Sequence, residues 1–130
     1  MNYEEWEREV PEAIKNDPVW KFYGYRKALF LYDLAWKDCE KLMKDFRGKE
    51  VARQLIRSAG SICANIEEGY GRGFGRDRNY FLRVSNGSAR ETRGWYYRGR
   101  RTLPPAVLEH RLGLLGEVIA LLVTELNLQR

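Results

Sequence analysis

Between residues 51 and 70 the apolar side chains Val51, Leu55, Ala59, Ile62, Ile66 and Tyr70 fall at steps of four, four, three, four and four. Steps of three and four are the period of a helix with one apolar stripe. Such a stripe needs partners, and the chain supplies them. Tyr25, Ala28, Tyr32, Ala35, Cys39, Leu42 and Phe46 repeat the pattern upstream, and Leu108, Leu112, Leu115, Ile119, Leu122 and Leu126 repeat it downstream. No segment alternates with period two between turn signals, so no sheet is expected. Four amphipathic helices with short connections predict an all-α, antiparallel, up-down four-helix bundle.

Local signals set the expected boundaries. Residues 1–16 are an acidic N-terminal extension broken by Pro11, read as weakly ordered or as a short helix, and the bundle domain spans 17–130. Asp17-Pro18 supplies an N-cap followed by a proline at the first helical position. The first long helix is expected to run from there to about Phe46, closed by Arg47-Gly48. The second runs from about Lys49 to Tyr70. On it Gly60 and Ala64 lie four apart, where a neighbouring helix could approach closely. The third is expected from Arg76 to about Arg101, with Phe81, Val84, Ser88, Thr92, Trp95 and Gly99 facing inward. Thr102 is the expected N-cap of the fourth, ahead of Pro104-Pro105.

Charge is unevenly distributed. Residues 1–46 carry 8 Lys+Arg against 10 Asp+Glu, residues 47–101 carry 13 against 5, and residues 102–130 carry 2 against 3. The whole excess behind the net +5 lies in the middle of the chain, and apart from Lys49 its cations are all arginines. Arginine presents a planar fork suited to phosphate. The positions that make up the expected nucleic-acid face are Arg53, Arg57, Arg72, Arg76, Arg78, Arg83, Arg90 and Arg93. Tyr70, Phe74, Tyr80, Tyr96 and Tyr97 interleave with them, and aromatic rings beside arginines can stack bases while the arginines hold phosphates. RNA or DNA is the partner this pattern suggests. The competing reading is a protein-interaction scaffold without direct nucleic-acid contact, in which Trp20, Trp36, Trp95, Tyr96 and Tyr97 matter more than the arginines.

Other chemistries find little support. Gly69, Gly71, Gly73 and Gly75 alternate, but they form no G-x-G-x-x-G, follow no strand and precede no GK[ST], so no phosphate-cradling loop is expected. Arg72-Gly73-Phe74-Gly75 matches the start of an RNA-recognition string, but the match fails at Arg76-Asp77-Arg78 and the required sheet is missing. The lone histidine, His110, adjoins Glu109 outside any Glu-x-x-His pair and reads as a surface residue. No serine or cysteine has a recognisable base partner. The expectation is a non-enzyme with no cofactor and no metal. Cys39 and Cys63 form no C-x-x-C and read as reduced core thiols of a cytoplasmic protein. The N-terminus has no signal-peptide pattern, and no apolar run reaches the ~20 residues of a membrane span.

Two blocks carry a family resemblance. Arg57-Ser58-Ala59-Gly60-Ser61-Ile62-Cys63-Ala64-Asn65-Ile66-Glu67-Glu68-Gly69-Tyr70-Gly71-Arg72 resembles the signature of the bacterial four-helix bundle family, also called the 23S rRNA intervening-sequence protein family. Phe81-Leu82-Arg83-Val84-Ser85-Asn86-Gly87-Ser88-Ala89-Arg90-Glu91 is similar to that family's second block. Glu67 departs from the pattern, where alanine is usual. The resemblance covers about residues 18–130. It implies a four-helix bundle assembled as a ring-like homopentamer. It also implies kinship with the accessory variability protein of diversity-generating retroelements, a basic nucleic-acid-binding partner of a reverse transcriptase. Carried onto this chain, its motif positions are Ser61, Asn65, Glu68, Gly69, Gly87, Ser88 and Glu91, expected to pack helix two against helix three.

Overall fold

The computed structural model describes residues 1–128. Two short helices, α1 (Tyr3–Arg8) and α2 (Glu12–Lys15), lead into a 3-10 turn at Pro18–Lys21. Four long helices follow: α3 (Tyr23–Leu42), α4 (Phe46–Gly71), α5 (Arg76–Arg98) and α6 (Pro105–Leu128). There is no strand among the described residues. Each long helix packs on two neighbours, α3 on α4 and α6, and α5 on α4 and α6. The connections at 43–45, 72–75 and 99–104 are short, so successive helices run antiparallel.

The stripes read from sequence meet at the centre. Ala28, Ala35 and Leu42 from α3, Leu55, Ala59, Ile62 and Ile66 from α4, and Leu115 and Leu122 from α6 are fully buried, joined by Leu31 and Val118, which the stripes did not include. Thr92 and Gly99 lie inward as expected, but the rest of the α5 face is displaced by one residue. Leu82, Ser85, Ala89, Thr92 and Tyr96 are buried, while Val84 is exposed and Phe81, Ser88 and Trp95 are half-buried. The reason is hydrogen bonding across a close seam. Ser85 Oγ donates to the Ile62 carbonyl at 2.8 Å, and Thr92 Oγ1 donates to Ser58 Oγ at 2.9 Å. Small hydroxyl residues with these partners enter the core without the cost of unmet polar groups.

Several boundaries move. Asp17 caps the 3-10 turn, accepting from Val19 N at 2.9 Å, and the α-helix starts only after Phe22. The first helix stops at Leu42, because Asp45 caps a new one by accepting from Arg47 N (2.8 Å) and Gly48 N (3.1 Å). Phe46 therefore opens α4 and is 79% exposed instead of closing the α3 stripe. Gly48 is inside α4 and does not terminate α3. A Cβ there would lie 2.0 Å from the Leu42 carbonyl oxygen, so the tight α3–α4 turn admits only glycine. Thr102 does not cap α6, since its hydroxyl donates to the Gly99 carbonyl. Gly60 faces the Tyr32 ring and Ala64 is exposed, so that pair mediates no close helix approach within the protomer.

The N-terminal extension is helical and docked on α3. Trp6 is buried and its Nε1 donates to Asp33 Oδ2 at 2.7 Å, while Tyr3 meets Phe30 edge-on at 5.6 Å. Among the described residues no helix is long and apolar enough to cross a membrane.

Candidate nucleic-acid interface

The arginine-rich surface is built chiefly on α5. That helix carries six arginines against Asp77 and Glu91. Arg76, Arg83 and Arg90 recur every seven residues, so they share one face and climb about 10 Å per step. All three are exposed and have no ion pair among the described residues. The same periodicity puts Tyr80, Gly87 and Tyr97 on that face. Tyr80 is 57% and Tyr97 54% exposed, and a Cβ at Gly87 would meet nothing within 4 Å. The result is an open row of cations with the Tyr80 ring between the first two and the Tyr97 ring beyond the last.

The other expected arginines do not all join this row. Arg57 pairs with Glu91, which also accepts from Trp95 Nε1 at 2.9 Å, so it sits beside the α5 face with its charge matched. Arg53, one turn earlier, instead lines a groove between α3 and α4 and approaches Glu50 at 3.9 Å. Arg72 pairs with Glu68 at 3.2 Å and lies over the Phe81 ring at 5.3 Å. Arg93 is half-buried and has no ion pair among the described residues.

Arg78 departs most from expectation. It is only 6% exposed and so is not presented to solvent at the end of the bundle. Its guanidinium lies over Tyr70 at 3.9 Å and over Phe74 at 4.2 Å, and its Nε is buried without a hydrogen-bond partner. Two aromatic faces hold this cation where a carboxylate would be usual. Charge and position in the sequence mark Arg78 as a surface residue. Only the flanking Tyr70 and Phe74 hint otherwise.

The expected motif residues divide in two. Ser61 Oγ and Ser88 Oγ lie 2.8 Å apart across α4 and α5. Asn65 Nδ2 donates to the Ser61 carbonyl at 2.8 Å and to Ser61 Oγ at 3.0 Å. Gly69 is buried, with space for a Cβ limited by the Arg78 carbonyl oxygen and Phe81 Cβ, each at 3.2 Å. Ser61, Ser88 and Gly69 pack α4 on α5, Asn65 holds Ser61 from within α4, and Glu91 adds its link to Arg57. Glu68 and Gly87 do not: Glu68 is exposed and pairs along its own helix with Arg72, and Gly87 faces open space. Glu67 is exposed too, and accepts from Tyr25 Oη at 2.7 Å.

Burial pushes the Cys39 thiol up to about 11, with the charge of Asp38 adding to it. Burial, then the charge of Glu67, raises Cys63 further. Both thiols are free and buried. His110 is exposed, its Nδ1 within 2.8 Å of Arg111 Nη1, and burial followed by the charge of Arg111 lowers its pKa. No cluster of three or more His, Cys, Asp or Glu side chains that could hold a metal occurs among the described residues.

Sequence reasoning missed an apolar groove of about 450 Å³ between α3 and α4, lined by Trp36, Cys39, Met43, Ala52 and Ile56. Trp36 is 64% and Met43 54% exposed. The two fall seven apart, Trp36 on α3 and Met43 just past its end, a signal that was present but lies outside the core stripe.

The model of the 23S rRNA-intervening sequence protein family matches residues 21–121. Among solved structures, a protein of unknown function from the S23 ribosomal protein family of Bacteroides thetaiotaomicron VPI-5482 shares the fold. Its TM-score is 0.57 at 23% identity, over 78% of this chain and 98% of that one. No curated protein matches the chain.

Proposed function

The chain belongs to the 23S rRNA-intervening sequence protein family, and from that premise we propose that it is a non-enzymatic, oligomeric nucleic-acid-binding accessory protein of the cytoplasm. The observation that carries the reading is the row Arg76, Arg83 and Arg90, exposed and unpaired among the described residues. Uncompensated arginines at helical spacing suit a polyphosphate backbone, whose binding is driven by counterion release and is largely independent of sequence. The family name, which refers to a ribosomal RNA intervening sequence, favours the same class of ligand. Assembly belongs to the proposal. Gly87 opens outward and the α3–α4 groove exposes apolar side chains, both suited to contact with another copy. A homopentamer, as the resemblance implies, would multiply weak phosphate contacts by avidity. Kinship with the accessory variability protein extends the proposal to a reverse transcriptase as protein partner.

The test is retention on single-stranded and duplex nucleic acid across a salt gradient. Steep loss with rising salt supports the proposal, and salt-insensitive retention or no retention counts against it. A second reading, a protein-interaction scaffold, is favoured by the groove that exposes Trp36 and Met43. It calls for a protein partner held with little salt dependence.

A further inference from the structure

The turn between α4 and α5 ends in an exposed ring with an unusual backing. Phe22 and Tyr70 stack with centroids 6.0 Å apart and planes 14° from parallel. The Arg78 guanidinium lies over Tyr70 and over Phe74. Phe22, Tyr70 and Arg78 are buried or half-buried, whereas Phe74 is 80% exposed. The column thus fixes one side of the Phe74 ring from within and leaves the rest of it to solvent. A cation against one face draws electron density from the ring, which favours stacking of an electron-rich heterocycle on the other.

The surroundings are open and basic. Gly73 and Gly75 flank the ring with φ of +85° and +87°, and a Cβ at either would meet nothing within 4 Å. Arg72 and Arg76 follow two residues to each side. Arg76 has no ion pair among the described residues. The Arg72–Glu68 pair is half-exposed, the kind of surface contact that exchanges readily for a phosphate. The row Arg76, Arg83 and Arg90 then continues from this turn along α5.

We infer that Phe74 is a stacking platform for one unpaired nucleobase of a single strand whose phosphates run along the α5 arginines. This rests on the nucleic-acid reading above and adds a ligand class to it: single-stranded RNA or DNA, or an unpaired segment. Duplex bases are already stacked on both faces and cannot use the ring.

The experiment is fluorescence anisotropy of the full chain with four labelled probes of equal length: oligothymidylate, an abasic strand with the same phosphates, oligouridylate and a duplex. The intact protein is expected to bind oligothymidylate about 5- to 150-fold more tightly than the abasic strand, the effect of one stacked base. Phe74→Ala should erase that difference, and Phe74→Tyr should keep it. Duplex affinity should be unchanged in both, which also reports that the variants are folded. Oligouridylate shows whether RNA shares the site. The inference is overturned if the intact protein does not distinguish oligothymidylate from the abasic strand, or if Phe74→Ala weakens all probes equally. In either case duplex binding leaves the charge-based reading standing. Failure to bind any probe overturns both.

Discussion

Asp38 on α3 and Arg111 on α6 meet inside the bundle as a two-pronged ion pair, with Nε to Oδ2 at 2.7 Å and Nη2 to Oδ1 at 3.0 Å. Tyr96 on α5 donates its hydroxyl to the same Asp38 oxygen at 2.7 Å. Burial works against the Arg111 charge, but the hydrogen bonds and charge of Asp38 more than reverse it, and the guanidinium pKa is raised. Burial, with Asp38 adding, also raises Tyr96. One carboxylate thereby fixes three helices relative to one another.

Removing one partner of this pair strands the other. The side chains are 11% and 7% exposed, so solvent offers little relief. Asp38→Ala is expected to destabilise the fold by about 3–5 kcal/mol. The double change Asp38→Leu with Arg111→Met should cost less, because no buried charge is left unmatched and only the Tyr96 hydroxyl loses its acceptor. Urea unfolding of the two variants measures the difference.

Asp45 controls the start of α4. The hydrogen bond from Arg47, followed by the backbone bonds from Gly48 and Arg47, holds its carboxyl at about 2, below its ordinary 3.8. A carboxyl lowered by folding adds stability above its unfolded value and loses it as pH falls through the folded one. Thermal midpoints should therefore drop between pH 3.8 and about 2 more steeply in the parent than in Asp45→Asn, which keeps a cap but does not titrate. Parallel curves would show that the cap contributes nothing to the pH dependence.

Two glycines should respond in opposite senses. Gly48→Ala drives a methyl into the Leu42 carbonyl and is expected to cost about 1–3 kcal/mol. Gly87→Ala adds a methyl in open space on a helix and is expected to gain about 1 kcal/mol in the protomer. Chemical denaturation checks both. Sedimentation of Gly87→Ala shows in addition whether that face supports assembly.

The thiols should be inert while the protein is folded. With Cys39 at about 11, its thiolate is roughly one part in ten thousand at neutral pH. Alkylation of both cysteines should follow global unfolding, as mass spectrometry across a denaturant series would register.

The legible part of the fold was what periodicity encodes. The stripes on α3, α4 and α6 followed largely from steps of three and four, carried by Leu and Ile on α4 and α6 and by Ala, Tyr, Cys and Leu up to Leu42 on α3. The α5 face was not legible in the same way. Phe81, Val84 and Trp95 outweigh Ser85 and Ala89 in hydrophobicity, yet the small residues enter beside the expected Thr92, Ser85 because the Ile62 carbonyl waits for its hydroxyl. The α3–α4 boundary was hidden for a related reason: Phe46 falls four residues after Leu42 and continues the stripe through the turn, although Asp45 was a readable cap. Asp38 and Arg111 lie 73 residues apart, and no local pattern links them. At the candidate site the basic character of residues 47–101 was plain. Which arginines were spent on Glu68, Glu91 or aromatic rings depends on cross-helix geometry that a linear reading lacks.

Phosphate binding by the α5 row is what salt probes best. The most direct measurement is a salt titration of nucleic-acid affinity for the parent and for the triple variant Arg76→Glu, Arg83→Glu and Arg90→Glu. These residues are exposed and unpaired among the described residues, so the variant should keep the parent's helical content and melting behaviour. The parent's affinity is expected to fall steeply with salt, and on duplex DNA the triple variant is expected to bind far more weakly, with its log–log slope reduced by about 2.7 if each arginine holds one phosphate. A folded triple variant with the parent's affinity and the parent's salt slope would contradict phosphate binding by the row.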